Sequence, residues 1–133
     1  MDEFIDDRST VISIGGVEYK LVLTTKATKA IAARYGGLEN LGEKLMKSEN
    51  FELALDEIVW LITLLANQSV LIYNLVHKDA PKPLLTEEEV ELFTTPSQLA
   101  EYKAAITEAM LKGTARKVVS DDGANSSKNV SGA

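Results

Sequence analysis

The chain has 133 residues, which sets a prior of one domain. Apolar residues make up 45% and charged residues 26%, as in an ordinary globular protein, while a net charge of −6 gives no electrostatic footing for a phosphate backbone and argues against nucleic-acid binding. There is no cysteine, which removes disulfides, thiolate metal sites and cysteine nucleophiles.

The first residues, MDEFIDD, are acidic where a signal peptide would be basic and then apolar, so the expectation is a soluble, cytoplasmic protein. Residues Met1 to Thr10 read as a flexible end. Two β-rich runs follow, Val11–Ile14 and Val17–Leu23, separated by Gly15-Gly16. Both glycines accept positive φ without strain, so the segment reads as a hairpin. Val17, Tyr19, Leu21 and Leu23 then share one face, with Glu18 and Lys20 on the other. A lone hairpin is marginal in water, so its apolar face needs helices or another chain's strands.

A short helix is expected from Lys26 to Tyr35, with Thr25 as N-cap and Gly36 just past its end. Leu38, Leu41 and Leu45 are spaced for a second amphipathic helix over Leu38–Lys47, weakened by Gly42. Ser48 or Asn50 is placed to cap the next element.

That next element, Phe51 to His77, organises the chain. It contains no Gly and no Pro, so nothing stops a helix. Glu52, Asp56, Thr63, Asn67 and Asn74 fall within about 60° of one another on a helical wheel, a stripe that Val59 and Val70 interrupt. The rest of the circumference is apolar, and a helix apolar nearly all round is buried on most sides. Its longest apolar run, Ile58–Leu65, is broken by Thr63 and falls short of the roughly 20 residues that span a bilayer, so no membrane partner is expected. The remaining chain is short for the cover such a helix needs, and part of that cover is expected from other polypeptides, including further copies of this chain.

Pro81 and Pro83 make the stretch Lys78–Pro83 a linker. Thr86 with Glu89 forms a capping box that opens a short helix through Val90, Leu92 and Phe93. Thr95 with Gln98 forms a second, with Pro96 at the first helical position, and its helix is expected to stop at Gly113. Residues 114–133 read as a flexible tail, since Ser120–Ala133 has too few apolar side chains to offset the entropy of ordering. The expected fold is therefore mainly α with a short N-terminal β-hairpin (α+β), one α-rich domain over residues 11–113 built around the long central helix.

No catalytic set is visible. His77 is the only histidine, so HExxH and Ser–His–Asp arrangements with a partner to spare are out, and a position at a helix end is the ordinary place for a cation facing the helix dipole. Gly15-Gly16 and Gly36-Gly37 are not phosphate-binding patterns. Glu87, Glu88 and Glu89 sit where a helix start favours acids without any metal, and Asp121, Gly123 and Asn125 echo a calcium loop that lacks its terminal Glu. No enzyme activity, cofactor or metal is expected. Trp60 and Tyr73 on a long helix serve a core more often than a surface. The shortage of cover nevertheless makes Trp60, Leu64, Leu71 and Tyr73 the candidate partner-binding residues.

The order of elements carries a resemblance. The hairpin ISIGGVEYKLVLTTKAT is followed by IAARYGGLENLGEKL, then by the helix ENFELALDEIVWLITLLANQSVLIYN and by LLTEEEVELFTTPSQLAEYKAAITEAMLKGTARKV. From Ile12 to about Val119 this resembles the tail assembly chaperones of long-tailed phages and prophages of Gram-positive bacteria, through its overall pattern and phrases such as Tyr35–Leu41 and Leu65–Gln68. The resemblance implies a non-enzymatic protein that coats the tape measure protein in the host cytoplasm, self-associates, is displaced by the major tail protein and is absent from the mature virion. It also implies a longer form made by a programmed frameshift near the end of the reading frame, whose extra domain binds the major tail protein. Ser127-Lys128-Asn129 can be encoded over a slippery A-AAA-AAC heptamer. The alternatives are a structural virion subunit, such as a head–tail connector or tube component, and a small host enzyme or regulatory module.

Overall fold

The computed structural model describes residues 7–47 and 51–115. It is an α+β fold, mainly helical, with an N-terminal two-stranded hairpin and one long central helix. Strands β1 (Ser9–Ile14) and β2 (Val17–Val22) pair antiparallel, with Ile14 opposite Val17 and Ser9 opposite Val22. Gly15 and Gly16 make the turn at φ of 57° and 82°, the doubly left-handed geometry that matches the twist of the strands. The register sets Ile12, Ile14, Tyr19 and Leu21 on one face, and Ile12, Ile14 and Leu21 are buried there. The strand begins at Ser9, inside the stretch expected to be a flexible end.

The helices follow as α1 (Thr25–Tyr35), α2 (Leu38–Lys47), α3 (Phe51–Val76), α4 (Glu87–Phe93) and α5 (Pro96–Thr114). Thr24, not Thr25, caps α1: its side chain accepts the Ala27 N–H at 3.0 Å. Gly36 closes the same helix in the left-handed conformation, its N–H on the Ala32 carbonyl. The long helix ends at Val76, one residue before His77, whose ring lies on Tyr73 at 4.0 Å and whose Nδ1 faces the Tyr73 carbonyl at 3.1 Å. Both capping boxes form as the sequence implies. Helix α5 runs past Gly113 to Thr114. Ser48 and Asn50, and the tail beyond Ala115, lie outside the described residues.

Helix α3 lies under the hairpin, with α5 and α4 against it. Ile58, Leu61, Ile62, Leu65 and Ala66 of α3 meet Ile12, Ile14 and Leu21 of the hairpin, Ile106 and Ala109 of α5 and Val90 of α4 in one core cluster. By length and composition alone Ala54–Val76 is long and apolar enough to cross a membrane. A core helix meets that test too, and this one carries Asn67, Gln68 and Asn74 engaged in hydrogen bonds.

Helix α5 protects one edge of the hairpin. The Tyr102 hydroxyl donates to the Ser13 carbonyl and the Lys112 Nζ donates to the Ser9 carbonyl at 2.7 Å. The two carbonyls are four residues apart on a strand, about 14 Å, and their donors ten residues apart on a helix, about 15 Å, so one helix laid along β1 reaches both. Exposed strand edges invite further pairing, and donors placed this way occupy that edge.

Candidate partner-binding groove

Helix α3 is buried on most sides but not all. Trp60, Leu64 and Leu71 recur at helical spacing along its outward face, each half-buried, and they form the apolar floor of an open groove of about 280 Å³. Eleven residues of rise make that floor about 16 Å long, roughly three turns of a helix laid upon it. Thr63, Asn67 and Gln68 complete the floor, Lys26 of α1 stands on one side and Glu87 of α4 on the other.

Each wall is fixed by polar bonds to α3. The Thr24 hydroxyl donates to Gln68 Oε1, and Gln68, itself buried, donates to the Leu64 carbonyl at 3.0 Å. At the other end of α1, the Tyr35 hydroxyl donates to the buried Glu57 carboxylate, and Arg34 donates to both of its oxygens at 3.4 Å. Thr24 and Tyr35 are about three turns apart on α1, as Gln68 and Glu57 are on α3, so the two helices run antiparallel with matched anchors. On the far side, Asn67 and Asn74 hold the connector that leads into α4.

The Trp60 end of the groove is an aromatic and cationic cluster. The Arg34 guanidinium lies 4.4 Å from the Trp60 ring centre, and the Tyr35 ring meets Trp60 edge-on at 5.9 Å. Lys44 approaches the other ring, 5.6 Å from the centre of Tyr35. Burial alone would raise the Glu57 carboxyl, but the bonds from Tyr35 and Arg34 and the charges of Arg34 and Lys44 outweigh it and hold it below the ordinary carboxylate range. Burial and the bond to Glu57 push the Tyr35 phenol above its ordinary range, so it stays a donor. A buried, ionised carboxylate here is an anchor for α1 and, through Arg34 and Tyr35, for the ring of Trp60.

Three of the four residues singled out from the sequence, Trp60, Leu64 and Leu71, therefore lie together. Tyr73 does not join them. It points about 140° away from Trp60 around the helix, stacks with His77, carries Lys82 Nζ at 4.2 Å from its ring centre and lines a separate groove of about 450 Å³ against Val17–Lys20. Sequence reasoning missed Lys26, Glu57 and Glu87. The signal for the walls was present, since TKATKAIAARY holds bases and no acid and EEEVELF holds acids and no base. Glu57 gave no such signal, because its burial depends on Tyr35 and Arg34 arriving from another helix. Among the described residues no three His, Cys, Asp or Glu side chains come together as a metal site. Comparison of the chain with protein-family models, with curated proteins and with solved structures finds no match.

Proposed function

We propose that this chain is a non-enzymatic tail assembly chaperone of a long-tailed phage or prophage, and that its α3 groove takes helical segments of the tape measure protein before the tail tube forms around them. The groove carries the reading: an apolar floor of Trp60, Leu64 and Leu71, open to solvent and three turns long, on a helix whose opposite side packs in the core. An amphipathic client helix meets such a floor through residues at i, i+3, i+4 and i+7. A tape measure protein exposes helical apolar surface over a great length and would aggregate if left bare. Many copies along one client would cover it, and exposed Leu75, Leu84 and Leu111 offer apolar surface for contacts between copies. The resemblance of the sequence to such chaperones supplies the identity of the client. It also supplies displacement by the major tail protein, through a frameshifted longer form, in the host cytoplasm.

Co-expression with the tape measure protein tests the proposal. A soluble complex should form with the native chain and fall apart with Trp60→Ala plus Leu64→Ala, while that variant keeps its helical circular dichroism. A tape measure protein that stays insoluble, or a complex indifferent to the substitutions, removes the proposal. A virion subunit is the second reading, favoured by exposed Leu92 and Phe93, the latter packed beside Gly15 at the hairpin turn, as a fixed apolar contact would be. Mass spectrometry of purified particles separates the two, since only the subunit remains in them.

A further inference from the structure

We infer that the groove selects a client helix that is acidic along one flank and basic along the other, and that this charge pattern fixes the direction in which the helix lies. The inference rests on the groove reading above and adds what the walls do. Helix α1 carries Lys26, Lys29 and Arg34 and no acidic residue, while α4 carries Glu87, Glu88, Glu89 and Glu91 and no basic one. Lys26 and Glu87 border the same apolar floor. Arg34 is occupied by Glu57, so the basic character of the α1 wall toward a ligand comes from Lys26, which lines the groove.

The handedness follows from the helical wheel of α3. Gln68 and Glu57, which hold α1, lie about 60–80° past Trp60, while Asn67, which holds the α4 connector, lies about 20° before it. Val59, which lines a neighbouring groove of about 300 Å³ with Glu91, lies about 100° before Trp60. The basic wall is thus on the side that heptad notation labels e and the acidic wall on the side labelled g, with the floor as the seam. In parallel helix pairs g of one faces e of the other. A client parallel to α3 therefore presents its g flank to Lys26 and its e flank to Glu87. Acidic g with basic e favours the parallel direction, and the swapped pattern favours the antiparallel one. A client with both signs mixed on each flank meets like charges on both walls, a repulsive element that discriminates as much as the attraction does. Exposed pairs are individually weak, so one on each flank amounts to about fivefold in affinity.

Trp60 is the only tryptophan in the chain and sits in the floor, so its fluorescence reports binding at this site. The probes are three-heptad, tryptophan-free peptides of identical composition with leucine at a and d. One carries Glu at g and Lys at e, one carries the swap, and one mixes both signs on each flank. Both segregated peptides should bind the native chain about fivefold more tightly than the mixed one, and the gap should close near 1 M salt, where the screening length is about 3 Å. A dansyl group on the peptide N-terminus should accept more energy from Trp60 with Glu at g than in the swap, because Trp60 marks the N-terminal end of the floor. Lys26→Glu makes both walls acidic and should move the preference to a peptide with Lys on both flanks. Equal affinities for segregated and mixed peptides, or transfer that ignores the swap, overturn the inference and leave the groove reading standing. No change in Trp60 fluorescence with any peptide overturns both.

Discussion

Asn67 and Leu85 exchange two hydrogen bonds, the side-chain amide of one donating to the carbonyl of the other at 2.7 Å and accepting its N–H at 2.7 Å. Asn74 and Lys82 repeat the pattern at 3.0 and 2.8 Å. The asparagines are two heptad-spaced turns apart on α3, about 10.5 Å, and their partners three residues apart on an extended connector, about 10 Å. The polar stripe of an otherwise apolar helix is thus partly a ladder for a segment that Pro81 and Pro83 keep extended.

The two rungs differ in burial, and that difference is measurable. Leu85 is buried, so Asn67→Ala leaves two backbone groups without partners or water, at about 1–3 kcal/mol each. Lys82 is exposed, and water replaces the amide of Asn74 at little cost. Thermal melting should show Asn67→Ala several degrees below the native chain and Asn74→Ala close to it. Equal losses would mean that the ladder does not act through desolvation.

Trp60 divides its area between core and groove, so its removal should cost less than removal of a fully buried neighbour. The ring gives up a cation–π contact with Arg34 and an edge contact with Tyr35, together about 1–3 kcal/mol. Leu61, fully buried one residue later, should cost about 2–5 kcal/mol as Leu61→Ala. Denaturant melts of the two variants rank them. Trp60→Ala at or above the loss of Leu61→Ala would make Trp60 a core residue and close the floor of the groove.

Glu57 should make part of the stability depend on acid. Its folded-state carboxyl is held below the ordinary range, so the stabilisation is complete above the unfolded value of about 4.5 and is lost as pH falls through the lower folded one. Glu57→Gln keeps the shape and removes the charge. The native chain should be the more stable at neutral pH, with the gap narrowing below about pH 4.5. Denaturation midpoints of both proteins across the acid range check this, and a gap constant with pH would rule out the ionised anchor.

The hairpin, both capping boxes and the extent of α3 were legible because each rests on local chemistry: paired glycines, Thr with Glu or Gln three residues on, and a run without breakers. The groove floor was legible in part, since Trp60, Leu64 and Leu71 repeat at helical spacing. Tyr73 sat with them only by residue type, and its angle on the same wheel already placed it elsewhere. Nothing local marks Glu57 as buried or Asn67 as a clamp, because their partners are 22 and 18 residues away in sequence. Gly113 shows the same limit in reverse. A glycine near a helix end reads as a stop signal, yet here the helix continues to Thr114 and the glycine answers to Leu23, one residue past β2.

Gly113 lies against Leu23, where an added Cβ would come within 2.6 Å of the Leu23 Cβ and 3.0 Å of its carbonyl oxygen. Leu23 is buried and its carbonyl also receives Arg8 at 3.4 Å, so neither the side chain nor the backbone has room to retreat. An ordinary helical Gly→Ala change gains about 1 kcal/mol from propensity. Overpacking of this kind costs about 1–3 kcal/mol, so the net sign for Gly113→Ala is destabilising. Ala100→Gly, exposed on the same helix, makes the opposite exchange and should also destabilise, by about 1 kcal/mol. Melting temperatures of both variants should therefore fall, although one adds the methyl group that the other removes. A rise for Gly113→Ala would show that α5 does not approach Leu23 this closely and that Gly113 is a helix-end residue after all.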